Sequence, residues 1–225
     1  PRRGPVQLNL PRNILSETAK FNINKNEKSY ETIDTTKGKK SDIQKAVKMY
    51  RMAADQGLAH AQYKLGKMYQ LGKGVPQRDK KAVEWFQQAA DQNLAIAHWS
   101  LGLMYQYGKG VSKDDTEAVK WCQKAAVQGN ADAQHNLGVM YQLGKGGLSQ
   151  SDSEAVEWYQ KAANQNLSTA QVNLGAMYEY GKGGLKQSNV NAVKWYQKAA
   201  AQGDPKAQHN LTKLRNSNKM DDDIN

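Results

Sequence analysis

The chain carries one cysteine, Cys122, in 225 residues, so neither an intrachain disulfide nor a cysteine-based metal site can form, and the thiol is left to pack. This leans toward a reducing compartment. There is no run of 18 or more apolar residues, which excludes a helical membrane span, and no signal-peptide order of charged, apolar and small residues stands near the start. The chain therefore reads as soluble. Pro1 fits either removal of an initiator Met or a fragment of a longer chain, so the compartment stays open. The cytosol is favoured. Charge of one sign does not dominate either: residues 1–41 hold nine Lys or Arg against four acids, and the rest holds 23 against 17. The net charge of +11 favours acidic partners without naming one.

What the sequence does have is a repeat. Ala-Val recurs at Ala46-Val47, Ala82-Val83, Ala118-Val119, Ala155-Val156 and Ala192-Val193, at spacings of 36 or 37 residues. Around these pairs recur AVEWFQQAADQN, AVKWCQKAAVQG, AVEWYQKAANQN and AVKWYQKAAAQG, each followed by a segment such as AQHNLGVMYQLGKGG. Each copy predicts two amphipathic helices. On a helical wheel Val83, Trp85, Phe86, Ala89 and Ala90 share one broad face, with Glu84, Gln87, Gln88 and Asp91 opposite. Asp79, Asp115, Asp152 and Asn189, three residues before each Ala-Val pair, are expected to cap the first helices. Gly57, Asn93, Gly129, Asn166 and Gly203 are expected to close them in the left-handed conformation. Gly66, Gly102, Gly138 and Gly175 interrupt the second helices at a cost of roughly 1 kcal/mol each, which predicts close approach of a neighbouring helix. The helix pairs are expected at about 42–71, 78–107, 114–143, 151–180 and 188–215.

The pattern Ala-x-x-Trp-Tyr-x-Lys-Ala-Ala-x-x-Gly, followed by Ala-x-x-x-Leu-Gly-x-Met-Tyr-x-x-Gly-x-Gly-Val, resembles the Sel1-like repeat, a relative of the tetratricopeptide repeat. The resemblance covers residues 42–215, in units of about 42–77, 78–113, 114–150, 151–187 and 188–215. It departs from the pattern at Met49, at the extra Gly147 and Gly184, and at Leu211-Thr212 in the last unit. It implies an all-α, right-handed superhelical solenoid of five antiparallel helix pairs whose concave side binds partners. It also implies a scaffold or adaptor role in signalling or host interaction, and with it a secreted bacterial effector acting in host cytosol as the alternative location. The basic leader 1–41 is expected to be largely extended or disordered, with Ser16 to Phe21 as a turn of helix covering the first unit. Residues 216–225 are expected to form an acidic tail.

The residues that could carry chemistry are mostly absorbed by the repeat. The LGKGV loops contain Gly and Lys but lack the preceding strand and the spacing of a phosphate-binding loop. His135 and His209 share a repeat position two units apart, too far for one metal when stacked helices lie roughly 10 Å apart each. His60 and His98 are likewise read as surface or packing residues. No Ser-His-Asp set or isolated carboxylate pair occurs, so no enzyme, cofactor or metal is expected, and no nucleic-acid partner. Trp85, Trp121, Trp158 and Trp195 are read as core.

The residues left over define the candidate site. On the free side of the first helices stand Lys48, Arg51 and Met52; Glu84, Gln87 and Gln88; Lys120, Gln123 and Lys124; Glu157, Gln160 and Lys161; and Lys194, Gln197 and Lys198. Seven of these fifteen are cationic and two anionic. By analogy with tetratricopeptide superhelices this face lines the groove, and it is expected to bind an acidic peptide or protein segment. Trp99, with Leu103 four residues on, is expected to form an exposed apolar patch. The alternative is an adaptor that uses the basic leader on anionic lipid at a membrane surface.

Overall fold

The computed structural model describes residues 40–222, with side chains from 42 to 216. The expected turn at Ser16 to Phe21, and the side chains of the acidic tail beyond Asn216, lie outside the described residues. Within them the chain forms ten α-helices and no strand. The first helices of the five units are α1 (Lys40–Asp55), α3 (Asp79–Asp91), α5 (Asp115–Val127), α7 (Asp152–Asn164) and α9 (Asn189–Ala200). The second helices are α2 (Ala59–Leu71), α4 (Ala95–Tyr107), α6 (Ala131–Leu143), α8 (Ser168–Glu179) and α10 (Pro205–Asp222). The last of these continues past the boundary expected at 215.

The starts of the first helices correct the expected caps by one residue. Asp114, Ser151 and Ser188 have the extended dihedrals of a capping residue and accept from amides of the first turn. Asp114 Oδ1 takes Thr116 N at 2.9 Å and Glu117 N at 3.0 Å. Asp79, Asp115, Asp152 and Asn189 are already helical, and in the case of the three acids the positive end of the helix dipole favours their charge. Arg78 occupies the capping position of α3 without a side-chain bond. At the other end the expected closing residues all have positive φ, including the non-glycines Asn93 (63°) and Asn166 (66°).

Packing is phased differently from the Ala-Val reading. Each of the first four second helices packs more extensively on the first helix of the next unit than on its own partner. The mid-helix glycines explain this. A Cβ added at Gly66 would lie 2.7 Å from the Phe86 ring, one at Gly138 2.7 Å from the Tyr159 ring, and one at Gly175 2.6 Å from the Tyr196 ring. These three rings are fully buried, whereas the neighbouring tryptophans are not. Trp85, Trp121, Trp158 and Trp195 are half-buried, at the margin of the core they were expected to fill. In wheel terms the residue after Trp points at the axis of contact, and Trp flanks it.

The interface between the second and third units breaks this pattern. Cys122 stands where the others have Phe or Tyr, and a Cβ at Gly102 would meet nothing closer than 3.4 Å. The missing volume is supplied from the other side, because Trp99 packs against the cluster around Cys122, Ala118 and Leu137. At the same repeat position Tyr63 faces Phe86 (ring centroids 5.8 Å) and His135 faces Tyr159 (5.7 Å). The exchange also leaves a polar mark. Tyr159 donates its hydroxyl to Gln142 Oε1 at 2.9 Å and Tyr196 to Glu179 Oε2 at 2.8 Å. The equivalent Gln106 Oε1 is buried without a partner, since Cys122 has no hydroxyl to offer.

Candidate functional site

The exposed surface of the first helices is where the candidate residues lie. Lys48, Arg51, Met52, Glu84, Gln88, Lys120, Lys124, Glu157, Lys161, Lys194, Gln197 and Lys198 are exposed, and Gln87, Gln123 and Gln160 are half-buried. The helical period places the second, fifth and sixth residues after each Ala of the Ala-Val pair away from the buried alanines, so these positions need no tertiary partner.

Three units repeat one arrangement on this surface. The ammonium of Lys124 lies 4.3 Å from the Trp121 ring centre, Lys161 4.0 Å from Trp158, and Lys198 4.2 Å from Trp195. Each pair is three residues apart on one helix, so the contact follows from the turn of the helix itself. A cation over an indole gains about 0.5–1 kcal/mol at an exposed site, which holds the charge in place while leaving its donors open. The last pair borders a shallow depression of about 540 Å³ lined by Tyr178, Lys194, Trp195, Gln197 and Lys198. The second unit has Gln88 where these have Lys, and the first has Met49 and Met52 in place of the pair.

Two of the expected cations are already engaged. Arg51 donates to the Tyr69 hydroxyl and its guanidinium lies 5.9 Å from the centre of that ring. Lys120 bonds Glu117 at 2.6 Å, and that hydrogen bond raises its pKa. Of the other five, Lys48 stands on the first unit, and Lys124, Lys161, Lys194 and Lys198 stand together on the third to fifth units.

The expected apolar patch is not formed. Trp99 and Leu103 are half-buried, and Trp99 is used to fill the space beside Cys122. The wheel placed Trp99 off the stripe of its own unit, but that side of α4 faces the next unit. Cys122 is buried and donates to Ala133 O at 3.1 Å, and burial pushes its pKa up to about 12, so the thiol is an inert packing group.

Sequence reasoning missed a polar ladder that joins the units. Gln62, His98, Gln134 and Gln171 are buried at one repeat position. Gln134 donates to Ala126 O at 3.0 Å within its unit and accepts from Gln165 of the next at 2.7 Å. Gln62 accepts from Gln92 at 2.7 Å and Gln171 from Gln202 at 2.9 Å. Gln128 meets His98 Nδ1 at 2.9 Å. Burial, then the charge of Lys124, lowers the His98 pKa, which keeps the ring neutral and able to accept. The recurrence of Gln in the Gln-Gly and Gln-Asn turns was the available signal. In the last unit the equivalent Gln208 is exposed, because no unit follows it.

Comparison with known proteins gives matches in the same phase as the packing. The family model for the Sel1 repeat matches residues 36–58, 59–94, 95–130, 131–167 and 168–204, so most units begin at a second helix. Among solved structures, the chain is similar to a Sel1 repeat protein from Oxalobacter formigenes, at 36% identity and a TM-score of 0.71. That alignment covers 76% of this chain and 69% of that one. It is equally similar to a protective antigen of uropathogenic Escherichia coli displaying an SLR fold, at 36% identity and a TM-score of 0.70. Here 75% of this chain is covered but only 36% of the antigen, so the chain spans about a third of that protein's length. An immunity protein of Pseudomonas aeruginosa shares the fold at 23% identity and a TM-score of 0.51, with 72% of this chain and 58% of that one covered. No curated protein matches the sequence.

Proposed function

The chain belongs to the Sel1 repeat family, whose members generally act as protein-interaction scaffolds, and on that premise we propose that it holds an acidic peptide or protein segment on the exposed face of α5, α7 and α9. The observation that carries this reading is the thrice-repeated Trp-Lys pair. The stacking of units sets those pairs one unit apart, while the fold itself asks nothing of the lysines. Charge-assisted hydrogen bonds from ordered ammonium groups suit carboxylates, and the half-exposed indoles offer apolar surface beside each one. A role in host interaction or signalling fits such a scaffold, and the resemblance to a bacterial protective antigen supports the former.

The test is affinity capture with the full chain as bait. Reversing Lys124, Lys161, Lys194 and Lys198 to Glu is expected to abolish recovery of acidic partners, while Glu84→Lys on the second unit leaves it intact. Unchanged recovery with the fourfold reversal would refute the assignment of this face.

A further inference from the structure

The side chains that end the second helices form a second register that the core does not require, although the Tyr180 hydroxyl also accepts from Lys213 Nζ of the last helix at 3.1 Å. Leu71, Tyr107, Leu143 and Tyr180 each stand immediately before the closing glycine of a unit, and they are 52, 63, 55 and 57% exposed. A packed core has no use for a large apolar side chain in that position. Four in one register are a recurring feature of one edge of the solenoid, the edge where the linking loops run.

The charge of that edge is also biased. The loops 72–78, 108–114, 144–151 and 181–188 hold seven Lys or Arg, among them Lys73, Lys109, Lys145 and Lys182 at one repeat position, two residues after each Leu or Tyr. Their one acid, Asp114, is used as a helix cap. Of the acids in the first turns that follow, Asp79, Asp115 and Asp152 are half-buried at helix N-termini, whose partial positive charge offsets theirs, and Asp115 also pairs with Lys113 of its loop at 3.9 Å. Glu117 is paired with Lys120, which leaves Glu154 as the exposed one. The opposite edge differs. Its turns 56–58, 92–94, 128–130, 165–167 and 201–204 contain no Lys or Arg, and within two residues of them stand Asp55, Asp91, Asp132 and Asp204 against one Lys, Lys206.

We propose that the linking-loop edge seats on an anionic lipid surface, with Leu71, Tyr107, Leu143 and Tyr180 entering the interfacial zone and the loop lysines meeting headgroup charge. Tyr and Leu are side chains that partition to this zone, and Lys beside them is attracted by anionic headgroups. One such Leu-Lys or Tyr-Lys doublet binds weakly, but four on one stack engage together, so that each contact after the first is intramolecular. A second copy of the chain meeting this edge with its own equivalent edge would bring like charges together, which the anionic lipid surface avoids. The surface is distinct from the first-helix face and from the basic leader, so this proposal stands independently of the acidic-segment reading.

Vesicle co-sedimentation of the full chain tests it, using phosphatidylcholine with and without phosphatidylserine. Binding is expected only with phosphatidylserine and is expected to weaken as salt rises. Changing Leu71, Tyr107, Leu143 and Tyr180 together to Ser is expected to reduce it roughly tenfold or more, with an unchanged far-ultraviolet circular dichroism spectrum. Lys73, Lys109, Lys145 and Lys182 changed to Gln should do the same, whereas Arg2→Gln, Arg3→Gln and Arg12→Gln in the leader should leave most binding in place. Equal binding to neutral vesicles, full binding by the Ser variant, or a loss confined to the leader variant would each overturn the proposal. So would self-association that the Ser variant abolishes in a chain that binds no vesicles, because the edge would then belong to a second copy.

Discussion

The mid-helix glycines allow one substitution to be predicted with opposite signs at equivalent positions. Replacing Gly by Ala inside a helix gains roughly 1 kcal/mol of intrinsic stability wherever the methyl has room. At Gly102 it has room, since the nearest atoms, Ala118 O and Cys122 N, lie at 3.4 Å. At Gly138 it does not. The methyl would sit 2.7 Å from two carbons of the Tyr159 ring, and that ring is held by its bond to Gln142 and by the His135 ring beside it. Overpacking of this kind costs about 1–3 kcal/mol, and a ring pinned on two sides lies toward the upper end. The net expectation is a gain of about 1 kcal/mol for Gly102→Ala and a loss of about 1–2 kcal/mol for Gly138→Ala. For a chain of this size that is a rise of roughly 2–4 °C in Tm at the first site and a comparable or larger fall at the second. Thermal unfolding followed by circular dichroism reads both, and Gly66→Ala and Gly175→Ala should behave like Gly138→Ala. Equal destabilisation at Gly102 and Gly138 would refute the account of how Cys122 alters its interface.

Two further outcomes follow from the same contacts. Cys122→Tyr is expected to destabilise the chain by about 1–3 kcal/mol, because Trp99 occupies the space the ring needs. Adding Trp99→His, which copies the His135 and Tyr159 pair and makes room for the introduced tyrosine hydroxyl to reach Gln106 Oε1, should recover most of the loss in urea titrations. A double variant no better than the single one would count against volume exchange. Glu179 gives a pH-dependent expectation. Burial raises its carboxyl pKa, but hydrogen bonds from Tyr196 and Lys213 and the Lys213 charge outweigh this and leave it below the ordinary value. A depressed carboxyl contributes stability that is fully present above the unfolded pKa, about 4.3, and is lost as pH falls through the folded one. Glu179→Gln, which installs the residue of the other units, should therefore lower stability modestly at pH 7, since Lys213 is half exposed and solvent screens its charge. The difference should vanish in acid below the folded pKa, and a difference that persists there would show that the ion pair is not its source.

The repeat, its period, the helix pairs and the closing residues were all legible in the sequence, because each depends on local chemistry. A period of 3.6 makes an amphipathic face wherever it occurs, and Gly or Asn closes a helix for reasons internal to the backbone. The free face of the first helices was legible for the same reason, since Lys124, Lys161 and Lys198 lie on it by helical spacing alone. What the wheel could not rank was which side of that helix is buried most deeply. Trp and the following residue lie on the same broad face, and only the position of the next helix makes Tyr159 fully buried and Trp158 its half-exposed flank.

Trp99 failed as an exposed patch for a related reason. Its own unit offers it no cover, and the neighbour that does so contributes Cys122, whose small volume matters only once the two are placed against each other. The bonds from Gln165 to Gln134 and from Gln202 to Gln171 also cross between units, so no single copy of the repeat displays them. The sequence by itself determined the unit, because the unit is built from contacts within a few turns of chain. Tertiary structure decided which copies differ in their contacts and which surfaces are free, because those depend on atoms about one repeat away along the chain.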